Sequence, residues 1–304
     1  MRITLLTSGS RGDTQPYLAL GQALKEAGHT PRVAAFEIYR GLVESHGLDF
    51  FPIRGDVSSV MESDAAQNAM QADNPLKVLA SFNQLKSFVY DLQAEFFAAC
   101  QDVDAIAYHP GVPLGYFAAR ELGIPATLAL PFPMTATREY PALLFYDKPR
   151  LGMFYNRLTH LAMRQIFWLT STGPLRAFWR QIYGRPPRPF HSPFGQPPSR
   201  RYPVITSCSP SVFPRPADWP EHARADGFWF LLQQPDWTPP AELQQFLEEG
   251  EPPVYIGFGS LGQLERGEET LSLVRETLCL SGLRAVLAGV PGSSAAGQVD
   301  DNLF

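Results

Sequence analysis

Residues Arg2 to Ile53 read RITLLTSGSRGDTQPYLALGQALKEAGHTPRVAAFEIYRGLVESHGLDFFPI. Residues 2–7 alternate and then run apolar, which predicts a buried strand ending in the turn Ser8-Gly9-Ser10-Arg11-Gly12-Asp13. From Pro16 to Ala27, Tyr17, Leu18, Leu20, Ala23 and Leu24 recur at helical spacing, and Gly28 stops the run. Residues 31–36 read as a second strand, 38–45 as a short helix closed by His46-Gly47, and 50–53 as a third strand. Strand, turn, helix and strand in this order predict an α/β fold: a parallel sheet with helices on both faces.

The same rhythm continues outward. Residues 75–100 predict the longest clean helix, with Leu79, Phe82, Leu85, Val89, Leu92 and Phe96 on one stripe. A strand at 104–108, a helix at 113–122, the Gly123-Ile124-Pro125 stop and a strand at 126–130 follow. Pro131-Phe132-Pro133 opens a loop, residues 149–182 read as a helical region with many aromatics, and 184–201 as a loop rich in Pro and Arg. Short strands are expected at 203–206 and near 226–229. Residues 231–240 lose all periodicity and read as a linker. Beyond it a helix (240–249), a strand (253–257), a glycine turn, a helix (268–281) and a strand (283–288) restart the pattern, before small residues fill 289–298. The expected organisation is a complete domain over 1–230, the linker, and a partial second domain over 241–304, since one strand–helix–strand unit leaves too much sheet uncovered to be complete.

At 304 residues, 45% hydrophobic and 18% charged, the chain can build a large core, which excludes a disordered or coiled-coil protein. No apolar run approaches the ~18–20 residues of a spanning helix. The opening apolar stretch is too short for a secretory signal. Three dispersed cysteines (Cys100, Cys208, Cys279) make no disulfide framework and point to a reducing, cytoplasmic setting. Net charge is −5, yet residues 148–201 carry ten Lys and Arg and no Asp or Glu. This segment either meets an anionic surface, as a peripheral contact on the inner face of a membrane, or docks against the acidic stretch 218–251 of its own chain.

Two glycine turns follow strands. In Gly9–Asp13, at the carboxyl end of a parallel strand, Asp13 precedes the predicted helix and could either cap it or act as a base. The second, Gly257-Phe258-Gly259-Ser260-Leu261-Gly262, matches the dinucleotide pattern letter for letter. That fingerprint needs an acid at the end of the next strand, and 284–290 reads Arg-Ala-Val-Leu-Ala-Gly-Val. A nicotinamide oxidoreductase is therefore disfavoured, and a turn whose amides and Ser260 hydroxyl approach a diphosphate remains. The six histidines have no metal spacing, so no metal is expected. His109 ends a predicted strand before Pro110-Gly111, either as a satisfied loop residue or facing the same crevice as Asp13. There is no Gly-x-Ser-x-Gly elbow and no Gly-Lys-Ser/Thr phosphate loop. Aromatics at 154–155, 167–168 and 178–179 read as core or acceptor lining rather than a nucleic-acid platform.

Four stretches carry a resemblance. They are Thr7 through Pro16; His109-Pro110 through Gly123-Ile124-Pro125 and Pro133-Met134-Thr135 to Pro141; Ser209-Pro210-Ser211 through Asp218-Trp219-Pro220 to Phe230; and Pro252 through Ser260. In this order they resemble the sterol-glucosyltransferase-like glycosyltransferases, whose GT-B architecture sets two Rossmann-like domains face to face. The resemblance covers residues 1 to about 290. It implies an inverting transfer of a hexose, glucose from UDP-glucose, onto the hydroxyl of a sterol or other lipid-like acceptor. It implies no cofactor beyond the nucleotide sugar. Asp13 matches the family's base. Ser10, His109, Pro133, Met134 and Arg138 fall on the acceptor side, with helix 75–100 and loop 131–141 lining the pocket. Gly12, Gly259 and Ser260 fall on the donor side. The family's later His-Gly-Gly phosphate loop and sugar-reading Asp-Gln pair do not appear before Phe304. On that reading this polypeptide is expected to bind donor poorly and to turn over little. The alternative is a non-catalytic lipid- or partner-binding module derived from such an enzyme.

Overall fold

A computed structural model describes residues 1–54, 86–145, 151–195, 199–231, 238–257, 267–288 and 302–304. The chain divides into two compact units, Met1–Leu232 and Gln233–Phe304.

The first unit is built on seven parallel strands: β1 (Arg2–Leu6), β2 (Thr30–Phe36), β3 (Asp49–Ile53), β4 (Ala105–Tyr108), β5 (Ala126–Leu130), β6 (Val204–Ser207) and β7 (Ala223–Gly227). Their order across the sheet is β3-β2-β1-β4-β5-β6-β7. Register is set by pairs such as Leu5↔Val33 and Leu5↔Ala107. The two-residue period of a strand sorts side chains cleanly between the faces. Ile3, Leu5, Val33, Ala35, Ala107 and Ala129 join one core, where α1 (Arg11–Glu26) adds Tyr17 and Leu18 and α2 (Arg40–Ser45) adds Val43. Leu6, Ala34, Phe36, Ile106, Tyr108, Leu128 and Leu130 join the other. That face is covered by α3 (Lys86–Ala99), α4 (Leu114–Leu122) and α5 (Met153–Tyr183). Both faces are thus buried, as a parallel sheet requires. Gly115 permits the close approach of α4 to β4, since a Cβ there would lie 2.6 Å from that of Tyr108.

Four expectations are corrected. Helix α1 starts at Arg11, not Pro16, because Ser10 caps it and Pro16 lies inside. Asp13 therefore sits in the first turn rather than ahead of the helix. Among the described residues the longest helix is α5, at 31 residues. Residues 75–85 of the predicted helix lie outside the described residues, and Leu92 and Phe96 of α3 are buried in the core. The strand expected near 226–229 begins at Ala223, drawn there by pairing of Val204 with Ala223. Finally, the aromatics of α5 divide: Trp168, Phe178 and Trp179 are core, but Phe154 is 93% exposed.

The cause of that division is an inverted first half of α5. Its inward face is polar. Asn156 Nδ2 donates to the Arg138 carbonyl (2.9 Å), Thr159 Oγ1 accepts the Ala142 N–H (2.9 Å), and His160 Nε2 meets the Tyr140 carbonyl (3.1 Å). Loop 138–142 has no strand to satisfy its backbone, so the helix supplies side-chain partners. The apolar residues Met153, Phe154, Leu158 and Leu161 are left on the outward face.

In the second unit β8 (Val254–Gly257) pairs in parallel with β9 (Ala285–Ala288), accompanied by α6 (Ala241–Glu248) and α7 (Gly267–Ser281). Val274, Leu278, Ala285 and Leu303 form its small core. Among the described residues no helix is long and apolar enough to cross a membrane.

Candidate active site

The sheet order places a switch point at β1. The chain leaves β1 toward β2 on one side, while β4 lies on the other. Segments following β1 and β4 therefore flank a crevice at the carboxyl ends of the strands, where open α/β sheets bind ligands. His109 follows β4 directly, and its N–H donates to the Leu6 carbonyl (2.9 Å). Asp13 is the third residue of α1. The crevice brings the two together, with His109 Nε2 3.4 Å from Asp13 Oδ1.

Each partner is held from behind. Asp13 Oδ2 accepts the Ser10 N–H (2.8 Å) and the Ser10 hydroxyl (3.1 Å), the reach-back arm of a capping box. Both earlier readings of Asp13 thus remain compatible: one oxygen caps the helix, and the other faces the histidine. The Gly111 N–H donates to His109 Nδ1 (3.0 Å), so the neutral ring carries its proton on Nε2, aimed at the carboxylate. At 3.4 Å the contact is longer than an ordinary hydrogen bond, and Nε2 has no other hydrogen-bond partner.

Burial pushes the Asp13 carboxyl up, but the His109 imidazole and the two Ser10 donors outweigh it and hold the group below its ordinary value. Asp13 is thus an anion at neutral pH. The neighbouring Tyr17 phenol is driven the opposite way by burial and by the Asp13 charge, and it donates to the Ala129 carbonyl (2.5 Å). Access separates the pair: the Asp13 side chain keeps 28% of its surface and His109 only 7%. A substrate hydroxyl can reach the carboxylate, and the histidine stands behind it.

Gly12 lies in the same first turn, its Cβ position 3.6 Å from Ser10 Oγ. Ser10, Gly12, Asp13 and His109 therefore gather in one place. Met134 lies elsewhere, buried on the floor of a cavity of about 270 Å3, beside Leu128 and Leu130. Arg138 lines a second cavity of about 530 Å3 with Asn156 and Asp218. Neither of these cavities is lined by Asp13 or His109. Pro133 is half-buried in the loop between. Gly259 and Ser260 lie outside the described residues.

Asp218 was not singled out from the sequence, though it sits in the quoted Asp218-Trp219-Pro220. Its oxygens accept the Thr137 hydroxyl (2.6 Å) and the Arg138 N–H (2.9 Å), joining two distant loops. The 148–201 arginines do not pair with the 218–251 acids among the described residues. Arg185 binds Glu121 instead (2.6 Å), and Arg164 donates to the Phe194 carbonyl (3.0 Å). Nor do any three His, Cys, Asp or Glu among the described residues stand close enough to hold a metal ion.

Solved structures with a similar fold include glycosyltransferases. The glycotransferase of kitacinnamycin matches 100% of this chain and 70% of its own, at a TM-score of 0.60 and 16% identity. SnogD from Streptomyces nogalater matches 100% and 71%, at 0.52 and 18%. The fold is therefore GT-B. Residues 3–141 match the glycosyltransferase family 28 N-terminal domain. The chain is similar to the sterol 3-beta-glucosyltransferase of Aspergillus fumigatus (33% identical over 95% of this chain and 20% of that protein). It is also similar to those of Neosartorya fischeri (35%, over 86% and 18%) and Pichia angusta (32%, over 91% and 22%). The chain thus spans about a fifth of the length of these curated relatives.

Proposed function

We propose that this chain takes part in an inverting transfer of glucose from UDP-glucose to the hydroxyl of a sterol or similar lipid. The observation that carries the reading is the Asp13–His109 pair at the switch point, with its carboxylate open on one side. The acceptor oxygen attacks the sugar's anomeric carbon, forming a C–O bond. The bond to the diphosphate breaks on the opposite face, and UDP leaves with the electron pair. Asp13 takes the hydroxyl proton as charge develops. A carboxylate of depressed pKa is a weak base, so proton transfer falls late, once bonding to the sugar has acidified the hydroxyl. The Nε2–H of His109 holds the carboxylate's direction. The relatives' names supply the glucose and sterol classes, and VinC, solved with dTDP, has a similar fold at a TM-score of 0.53. No cofactor and no metal enters this scheme.

The test is transfer from labelled UDP-glucose to a sterol panel, by the wild-type sequence and by Asp13→Asn, each in a version that also carries the family's His-Gly-Gly phosphate loop and Asp-Gln pair. A sterol β-glucoside made only by the wild type supports the reading. Saturable sterol binding by both, with glucoside from neither, favours a lipid-binding module instead.

A second observation favours peripheral contact with an anionic membrane through 148–201. The outward apolar face of α5 carries Met153, Phe154, Leu158 and Leu161, with Arg157 at its edge, where it also lines the cavity beside β5, in a segment of ten cations and no acid. Apolar and cationic residues sharing a helix surface match an interface of acyl chains and anionic headgroups.

A further inference from the structure

The 270 Å3 cavity between β5 and α5 combines two chemistries. Its floor is apolar, from Leu128, Leu130 and Met134. Its wall carries Arg157 and Arg164. These lie seven residues apart on α5, two helical turns, and so share a face about 10 Å apart along the axis. Neither forms an ion pair with a described carboxylate. Asp218 also lines the cavity, its oxygens held by the neutral donors of Thr137 and Arg138, so its charge remains and the two guanidinium groups leave the lining net positive.

Two like charges on one face repel each other, and Arg164, the half-buried one, also loses hydration. Burial, and then the Arg157 charge, push the Arg164 guanidinium down from its ordinary value. An anion between them would relieve both effects, and the guanidinium fork complements the two oxygens of a carboxylate. The volume lies near the lower end of the ~300–1,000 Å3 range of small-molecule sites.

We propose that this cavity binds an apolar molecule ending in an acidic group, its carboxylate between Arg157 and Arg164 and its hydrocarbon on Leu128, Leu130 and Met134. The site does not depend on the transfer chemistry at Asp13.

The experiment is calorimetric titration of the whole chain, below micellar concentrations, with decanoate, decanol and inorganic phosphate. Decanoate is expected to bind at least about tenfold more tightly than decanol, with phosphate alone weak. Arg157→Gln and Arg164→Gln should each remove most of that preference and leave decanol affinity within about twofold. Arg164→Lys should keep part of it, since charge survives while the fork is lost. Equal affinities for decanoate and decanol would overturn the proposal. Phosphate competing as well as decanoate would show a site for free anions and overturn it too. If Arg164→Gln fails to fold for want of its Phe194 bond, Arg157→Gln decides, because that exposed side chain makes no described hydrogen bond.

Discussion

A Cβ on Gly9 would stand 2.3 Å from Asp13 Oδ2, closer than two atoms can approach. Gly9 also has φ +120°, which side chains rarely adopt, and its carbonyl accepts the Tyr39 hydroxyl (3.3 Å). The turn thus reserves the space in which the carboxylate meets Ser10. Gly9→Ala should turn Asp13 away and strain the loop by roughly 1–3 kcal/mol. Thermal unfolding should show the loss of stability, and transferase activity should fall with it. An unchanged melting temperature would mean that the carboxylate is not confined there.

Asp13 holds two jobs that two substitutions separate. Asn can still accept the Ser10 N–H but cannot take a proton, so Asp13→Asn should cost little stability and, in a version that also carries the family's donor-side motifs, cut turnover by roughly 10²–10⁴. Ala loses the cap as well, for about 1 kcal/mol more. Because the folded carboxyl is held below its ordinary 3.8, its ionised form stabilises the fold above about that pH, and this contribution disappears as pH falls through the lower folded value. Denaturant melts between pH 2 and 7 should show this acid-dependent part in the wild type and not in Asp13→Asn.

The wild-type rate should not lose Asp13's contribution until pH falls below about 3.8. In His109→Phe the imidazole is gone, and burial, which pushes the carboxyl up, is opposed by Ser10 alone. The acid limb of the pH–rate profile should therefore move to higher pH. A purely structural histidine would lower the rate without moving that limb, so the profile separates positioning from packing.

The sheet was legible because a strand with both faces buried leaves few alternatives for its apolar residues. Leu5 and Leu6 turn to opposite cores, as their alternation requires. Pro16 resembles a first helical residue, whereas the signal that sets the start of α1 is Ser10-x-x-Asp13, a capping box. Recognising it would have placed the carboxylate inside the helix. The Asp13–His109 contact joins residues 96 positions apart and depends on strand order, which only the switch-point argument anticipates. The inverted half of α5 had no signal in hydrophobic spacing. Its polar face is explained by the backbone needs of loop 138–142, a partner named only by tertiary structure.

That inversion gives the membrane reading a sharp test. If Phe154 and Leu158 enter a lipid interface, replacing both with Ser should weaken sedimentation with anionic vesicles without destabilising the fold, since neither supports the core. Burying a large apolar side chain contributes roughly 1.5–3 kcal/mol, so the double variant should lose at least about tenfold in partitioning. Arg157→Gln should act differently. Its contribution is Coulombic, so its loss should matter at low salt and fade as the Debye length shortens toward ~3 Å at 1 M, whereas the Ser variants should stay weak at every salt concentration. Equal sedimentation of wild type and Phe154→Ser/Leu158→Ser would show that the stripe faces something other than lipid.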